Sequence, residues 1–160
     1  LSCRQGGLRR KIIIKSTKMQ TATFALGCFW GPDDYFSKLK GVMKTRVGYA
    51  GGTTKNPTYH NLGDYTETVE IIFDPKVISF EELLKHFWKQ HDPTVKEVTQ
   101  YKSAIFYQNE EQKKISEKSK KEVEKKLGRK VATEILKAGT FYQAEEYHQK
   151  YLQKGKGRVC

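Results

Sequence analysis

The chain has 160 residues and a formal charge of +12, with 37% hydrophobic and 12% aromatic residues. That length and apolar content suit one soluble domain with its own core, and no apolar run is long enough to cross a bilayer as a helix. The charge does not by itself specify a nucleic-acid binder, because it is unevenly spread: Arg4, Arg9, Arg10, Lys11, Lys15 and Lys18 crowd an acid-free segment, and in residues 113–130 Glu117, Glu122 and Glu124 interleave with lysines as on a solvated helix face. Neither a nucleic-acid nor a membrane partner is expected.

Residues 1–18 are Arg-rich, and their apolar centre is too short for a secretory signal. A dispensable extension is expected there, with a transit peptide as the alternative; the domain proper starts at Met19. TATFALG (21–27) alternates small or polar with apolar residues and predicts a strand. GPDDYFSKLKG (31–41) predicts a helix, with Pro32 and two acids in its first turn and Gly41 as its stop. MKTRVGYA is a second strand. GGTTKNPTYHNLGD (51–64) is a long polar loop of the kind that carries function. TETVEIIFD (66–74) alternates cleanly as a third strand, and SFEELLKHFWKQH (79–91) is a helix capped by Ser79 with Glu82 three residues on. After the loop HDPTVKEVTQ come a strand at 101–107, a long helix from Asn109 to Leu127 stopped by Gly128, a strand in KVATEIL, a short helix in TFYQAEEYHQKYLQK and a glycine-containing tail. Strands interspersed with helices in this order predict an α+β fold with a mixed or mostly antiparallel sheet.

Three cysteines, Cys3, Cys28 and Cys160, are an odd and widely spaced set. They do not form a disulfide framework and suit a reducing compartment, so a cytoplasmic location is expected. Cys28 stands where a strand ends and a helix begins, and the positive end of a helix lowers a thiol pKa. Gly27 and Gly31 leave room beside it, and Phe29 and Trp30 supply apolar walls. On composition alone, a small buried side chain is the commoner role for such a cysteine. Glu67 opens a strand; buried, it would keep its proton and donate it, whereas exposed it would be an ordinary strand glutamate. Tyr59 and Tyr101 are further donors, each equally open to a packing role. Cys160 ends a Gly-containing segment whose thiol could reach an oxidised Cys28. His60, His86, His91 and His148 have no metal-ligand spacing.

Taken together, GCFWG, VGYAGG, NPTY, TETVEIIFDP, HDPT, TQYKSAIFY and AEEYHQKYL resemble, in the same order, the A-type peptide methionine sulfoxide reductases over residues 21–153. The resemblance implies a two-layer α+β sandwich with a ferredoxin-like mixed sheet, packed helices and a flexible C-terminal tail. It divides the chain into residues 1–18, a catalytic domain at 19–153 and a tail at 154–160. It implies reduction of the S epimer of methionine sulfoxide, free or in proteins, with repair of oxidised methionine as the role. By the same resemblance Cys28 is the nucleophile that becomes a sulfenic acid, and Glu67 is the proton donor. Tyr59 and Tyr101 bind the sulfoxide oxygen, and Phe29 and Trp30 hold the methyl group. Cys160 is the resolving cysteine, and thioredoxin, or dithiothreitol in its place, supplies electrons without a cofactor or metal. A monomer is expected, with His148 supporting the site. One departure stands out: between HDPT and TQYKS the family usually has a longer loop bearing an aspartate, and here only VKEV (95–98) joins them. A more open pocket is expected, weakening free methionine sulfoxide more than protein substrates.

Overall fold

The computed structural model describes residues 18–155. Its first six elements are β1 (Gln20–Leu26), α1 (Trp30–Ser37), β2 (Val42–Ala50), β3 (Thr66–Phe73), α2 (Phe80–Lys89) and β4 (Ser103–Tyr107). The strands lie in the order β4-β1-β3-β2, with every pair antiparallel. Two βαβ units thus interleave, which is the ferredoxin-like arrangement. The helix α3 (Glu110–Leu127) returns the chain so that β5 (Glu134–Lys137) adds in parallel to β4, and β6 (Tyr142–Gln143) adds antiparallel to β2 at the other edge. The sheet is therefore mixed, as expected.

Strand alternation decides the layers. Phe24, Val47, Ile71 and Ile105 point to one face and pack with Phe36 of α1 and Leu83, Leu84 and Phe87 of α2; Ile115 of α3 joins the same cluster. The opposite face carries the smaller Ala25, Ala50 and Ala104 with Phe106, and Ala138 and Phe141 cover it. The caps follow the sequence. Ser79 Oγ accepts from Glu82 N–H at 3.1 Å, Asn109 Oδ1 accepts from Gln112 N–H at 2.9 Å, and Gly128 ends α3 in the left-handed region at φ 69°.

Four expectations need correction. Helix α1 ends at Ser37, four residues before Gly41, because the Leu39 N–H turns back to the Phe36 carbonyl at 3.1 Å in a tighter turn. Strand β4 starts at Ser103; Tyr101 lies in a 3-10 turn at Thr99–Tyr101. Strand β5 starts at Glu134, later than KVATEIL suggested. The helix predicted near the C-terminus is one 3-10 turn, Glu146–His148, and β6 precedes it. Tertiary bonds replace helical ones there. The Gln149 amide accepts from Val47 N–H at 3.0 Å and donates to Val47 O at 2.9 Å, so this segment is tied to β2. Residues 1–17 and 156–160, and with them Cys3 and Cys160, lie outside the described residues.

Candidate active site

Strand β1 ends at Leu26, and Gly27 at φ 93° makes the turn that lets Cys28 precede α1. Cys28 is disulfide-bonded. Phe29 is the N-cap of α1, and its N–H donates to Glu67 Oε1 at 3.2 Å. The residue after the cysteine is thereby fastened to the predicted acid.

Glu67, the second residue of β3, is only 1% exposed, so its carboxyl is buried. Its other oxygen accepts from Gln100 Nε2 at 2.6 Å. Burial pushes its pKa up, and the bonds from Gln100 and Phe29 only partly oppose that. Tyr101 joins it from the 3-10 turn. Burial raises the Tyr101 phenol pKa, and the nearby Glu67 and Tyr59 side chains raise it further. Glu67, Tyr59 and Tyr101 therefore converge, with both phenols able to donate.

Tyr59 reaches this cluster from the 51–64 loop because Glu145 holds its backbone: Tyr59 N–H donates to Glu145 Oε1 at 3.0 Å. The other Glu145 oxygen accepts from Tyr49 O–H at 2.7 Å. Partial burial works against its charge, but these bonds hold its carboxyl below the ordinary range. Beside it lies His148, 1% exposed. Its Nδ1 accepts from Trp30 Nε1–H at 3.0 Å, so Nε2 carries the proton, 3.6 Å from Glu145 Oε2. Burial lowers the His148 pKa, with Glu145 opposing, and the ring stays neutral. The Trp30 indole stacks on Tyr151 at 3.8 Å between centroids. Phe29 is 1% exposed and packs on Tyr49 and His148, beneath the site. Sequence reasoning missed Gln100, Glu145, Tyr49 and Tyr151, although Gln100 sits inside TQYKS and Glu145 and Tyr151 inside AEEYHQKYL.

A cavity of about 400 Å³ opens beside Cys28, and its walls include Leu26, His91, Tyr101 and the loop residues Asp92, Val95 and Glu97. Among the described residues, no three His, Cys, Asp or Glu side chains are grouped to hold a metal ion, and no helix is long and apolar enough to cross a membrane.

Residues 20–160 match the family model described as peptide methionine sulfoxide reductase. The chain belongs to the peptide methionine sulfoxide reductase family. A curated reductase of this name from Methanococcoides burtonii is 46% identical over 148 residues, covering 85% of this chain and 97% of the relative. Among solved structures, Mxr1 from Saccharomyces cerevisiae in reduced form superposes with a TM-score of 0.84 at 35% identity, covering 91% of each chain. Mxr1 in complex with Trx2 superposes at 0.65 with 30% identity, over 89% of this chain and 91% of that one. This reductase is thus an oxidoreductase that acts on methionine sulfoxide, and the α+β fold expected from the sequence is the family's own.

Proposed function

We propose that the reductase acts on the S epimer of methionine sulfoxide through the thiolate of Cys28. The thiolate attacks the sulfoxide sulfur while Glu67 protonates the oxygen, and Tyr59 and Tyr101 donate hydrogen bonds to it as charge develops. The attack forms a bond from Cys28 Sγ to the substrate sulfur; the protonated oxygen then passes from that sulfur to Sγ as the Sγ–substrate bond breaks, so methionine leaves and Cys28 is a sulfenic acid. The Cys160 thiol then displaces that oxygen as water and forms a disulfide with Cys28. A dithiol reduces the disulfide and is itself oxidised to a disulfide. The Mxr1–Trx2 complex supports a thioredoxin in that role. Trp30, held by His148 and Tyr151, is suited to contact the substrate methyl group.

The observation that carries this reading is the buried Glu67 carboxyl, bonded to the backbone beside Cys28 and raised in pKa by burial. It supplies a proton to a poor leaving oxygen at a pH where an exposed glutamate has none to give. Single-turnover reduction of a methionine S-sulfoxide by wild type and Glu67→Gln tests it. The rate of the variant should fall by about 10²-fold or more. An unchanged rate would remove Glu67 from the chemistry. The same proposal has the enzyme working as a cytoplasmic monomer on free and protein-bound sulfoxide, with residues 1–18 dispensable; loss of activity in a chain lacking them would count against that last point.

A further inference from the structure

We infer that the cavity beside Cys28 is a specificity subsite that takes a lysine or arginine side chain next to the oxidised methionine of a polypeptide substrate. This rests on Cys28 being the reacting sulfur. Cys28 and Tyr101 both belong to the wall of this cavity of about 400 Å³. A substrate whose sulfur meets Cys28 therefore brings its neighbouring residue to this space. Trp30, His148 and Tyr151 do not belong to the wall, so the cavity is separate from the stacked indole suited to the methyl group.

The wall suits a long cationic side chain. Leu26 and Val95 offer apolar surface to a methylene stem, and Asp92 and Glu97 bring two carboxylates. The side chain and N–H of Thr94 donate to Asp92 and hold its carboxyl below the ordinary range, with the field of Arg129 adding to the effect. Glu97 is exposed and has no ion pair with a described residue. The imidazole in the wall, His91, does not oppose a cation. Its Nδ1–H donates to Phe87 O at 2.8 Å and its Nε2 accepts from Ser103 O–H at 2.7 Å, so both nitrogens are used by the neutral ring, and burial lowers its pKa. Lys96 lies on the same loop but outside the wall. The other large cavities differ. The groove between α2 and α3 carries Lys85, Lys118 and Lys126 beside its two glutamates, and the adjoining one carries Lys89, Lys126 and Arg129. On a chain of charge +12, the wall of the space beside the reacting cysteine carries, among the described residues, two carboxylates and no lysine or arginine. Val95 and Glu97 both come from the short connection at residues 95–98.

The test is kcat/KM, with dithiothreitol as reductant, for peptides that differ only in having Lys, Ala or Glu beside the methionine S-sulfoxide, on either side of it. The order Lys above Ala above Glu is expected, with steps of about two- to fivefold at low ionic strength, as for exposed ion pairs, shrinking in salt. Glu97→Lys should flatten or invert the order, whereas Glu122→Lys, the same charge change on α3, should leave it in place. Equal values for the three peptides on both sides, or an order that ignores Glu97→Lys, overturns the subsite while the neutral peptide is still reduced. Failure to reduce any peptide, the neutral one included, overturns the subsite together with the assignment of Cys28.

Discussion

A glutamate at the start of a strand is commonly an exposed polar residue, and TETVEIIFD alone left that open for Glu67. What changes its chemistry is its surroundings. The Phe29 N–H and the Gln100 amide each bind one oxygen, and burial outweighs both in its effect on pKa. A raised folded-state pKa means that the acid form persists above the pH at which an exposed glutamate has ionised. The donor is competent while protonated, so its contribution to the rate of the chemical step should fall as pH rises through the Glu67 pKa. Single-turnover rates measured across pH would give that alkaline limb, shifted above the ordinary carboxyl range; a limb that persists in Glu67→Gln would assign it to another group. Burial of this kind is set by strands distant in sequence, so no local pattern could reveal it. Gln100 was hidden for the same reason: its partner lies 33 positions away.

At the scale of elements, the helices and caps were legible because their signals are local. Ser79 and Asn109 accept the N–H groups that their positions predicted, and Gly128 closes α3. The C-terminal segment was not legible, because its backbone is held by tertiary partners. Gln149 binds β2, and Lys150 at φ 54° sends its Nζ to Asp33 Oδ1, Thr45 O and Thr45 Oγ1, each at 2.7 Å. Asp33, in the first turn of α1, is 1% exposed and also accepts from Lys150 N–H at 2.8 Å. This clamp holds the segment that carries Glu145, His148 and Tyr151 against the site. Removing the cation while leaving Asp33 buried is costly, so Lys150→Met should lower stability by about 3 kcal/mol. A denaturant midpoint unchanged from wild type would show that water or a neighbouring donor already compensates Asp33. Gly48 is the other element-scale constraint. A β-carbon there would overlap the Tyr142 carbonyl and the Phe141 ring, so Gly48→Ala should detach β6 from β2. Loss of hydrogen-exchange protection at Tyr49 and Tyr142 would report it, and wild-type protection would contradict it.

For the whole molecule, the ferredoxin-like sheet brings β1, β3, the 51–64 loop and the C-terminal segment to one end, where the chemistry collects. Motif order gave the family and hence this architecture, whereas the edge strand β6 is too short to leave a pattern. Recycling is a property of the full chain. Cys160→Ser should abolish thioredoxin-dependent turnover and spare turnover with dithiothreitol, and Cys3→Ser should spare both; the opposite result would make Cys3 the resolving thiol. The short 95–98 connection should raise KM for free methionine sulfoxide more than for an oxidised protein, and equal constants would contradict an open pocket. The most direct test of the account is an assay of separated S and R epimers of a methionine sulfoxide substrate, with dithiothreitol, on wild type and Cys28→Ser. Reduction of the S epimer alone, lost in Cys28→Ser, is the predicted result. Turnover that survives in Cys28→Ser, or reduction of the R epimer, would contradict it.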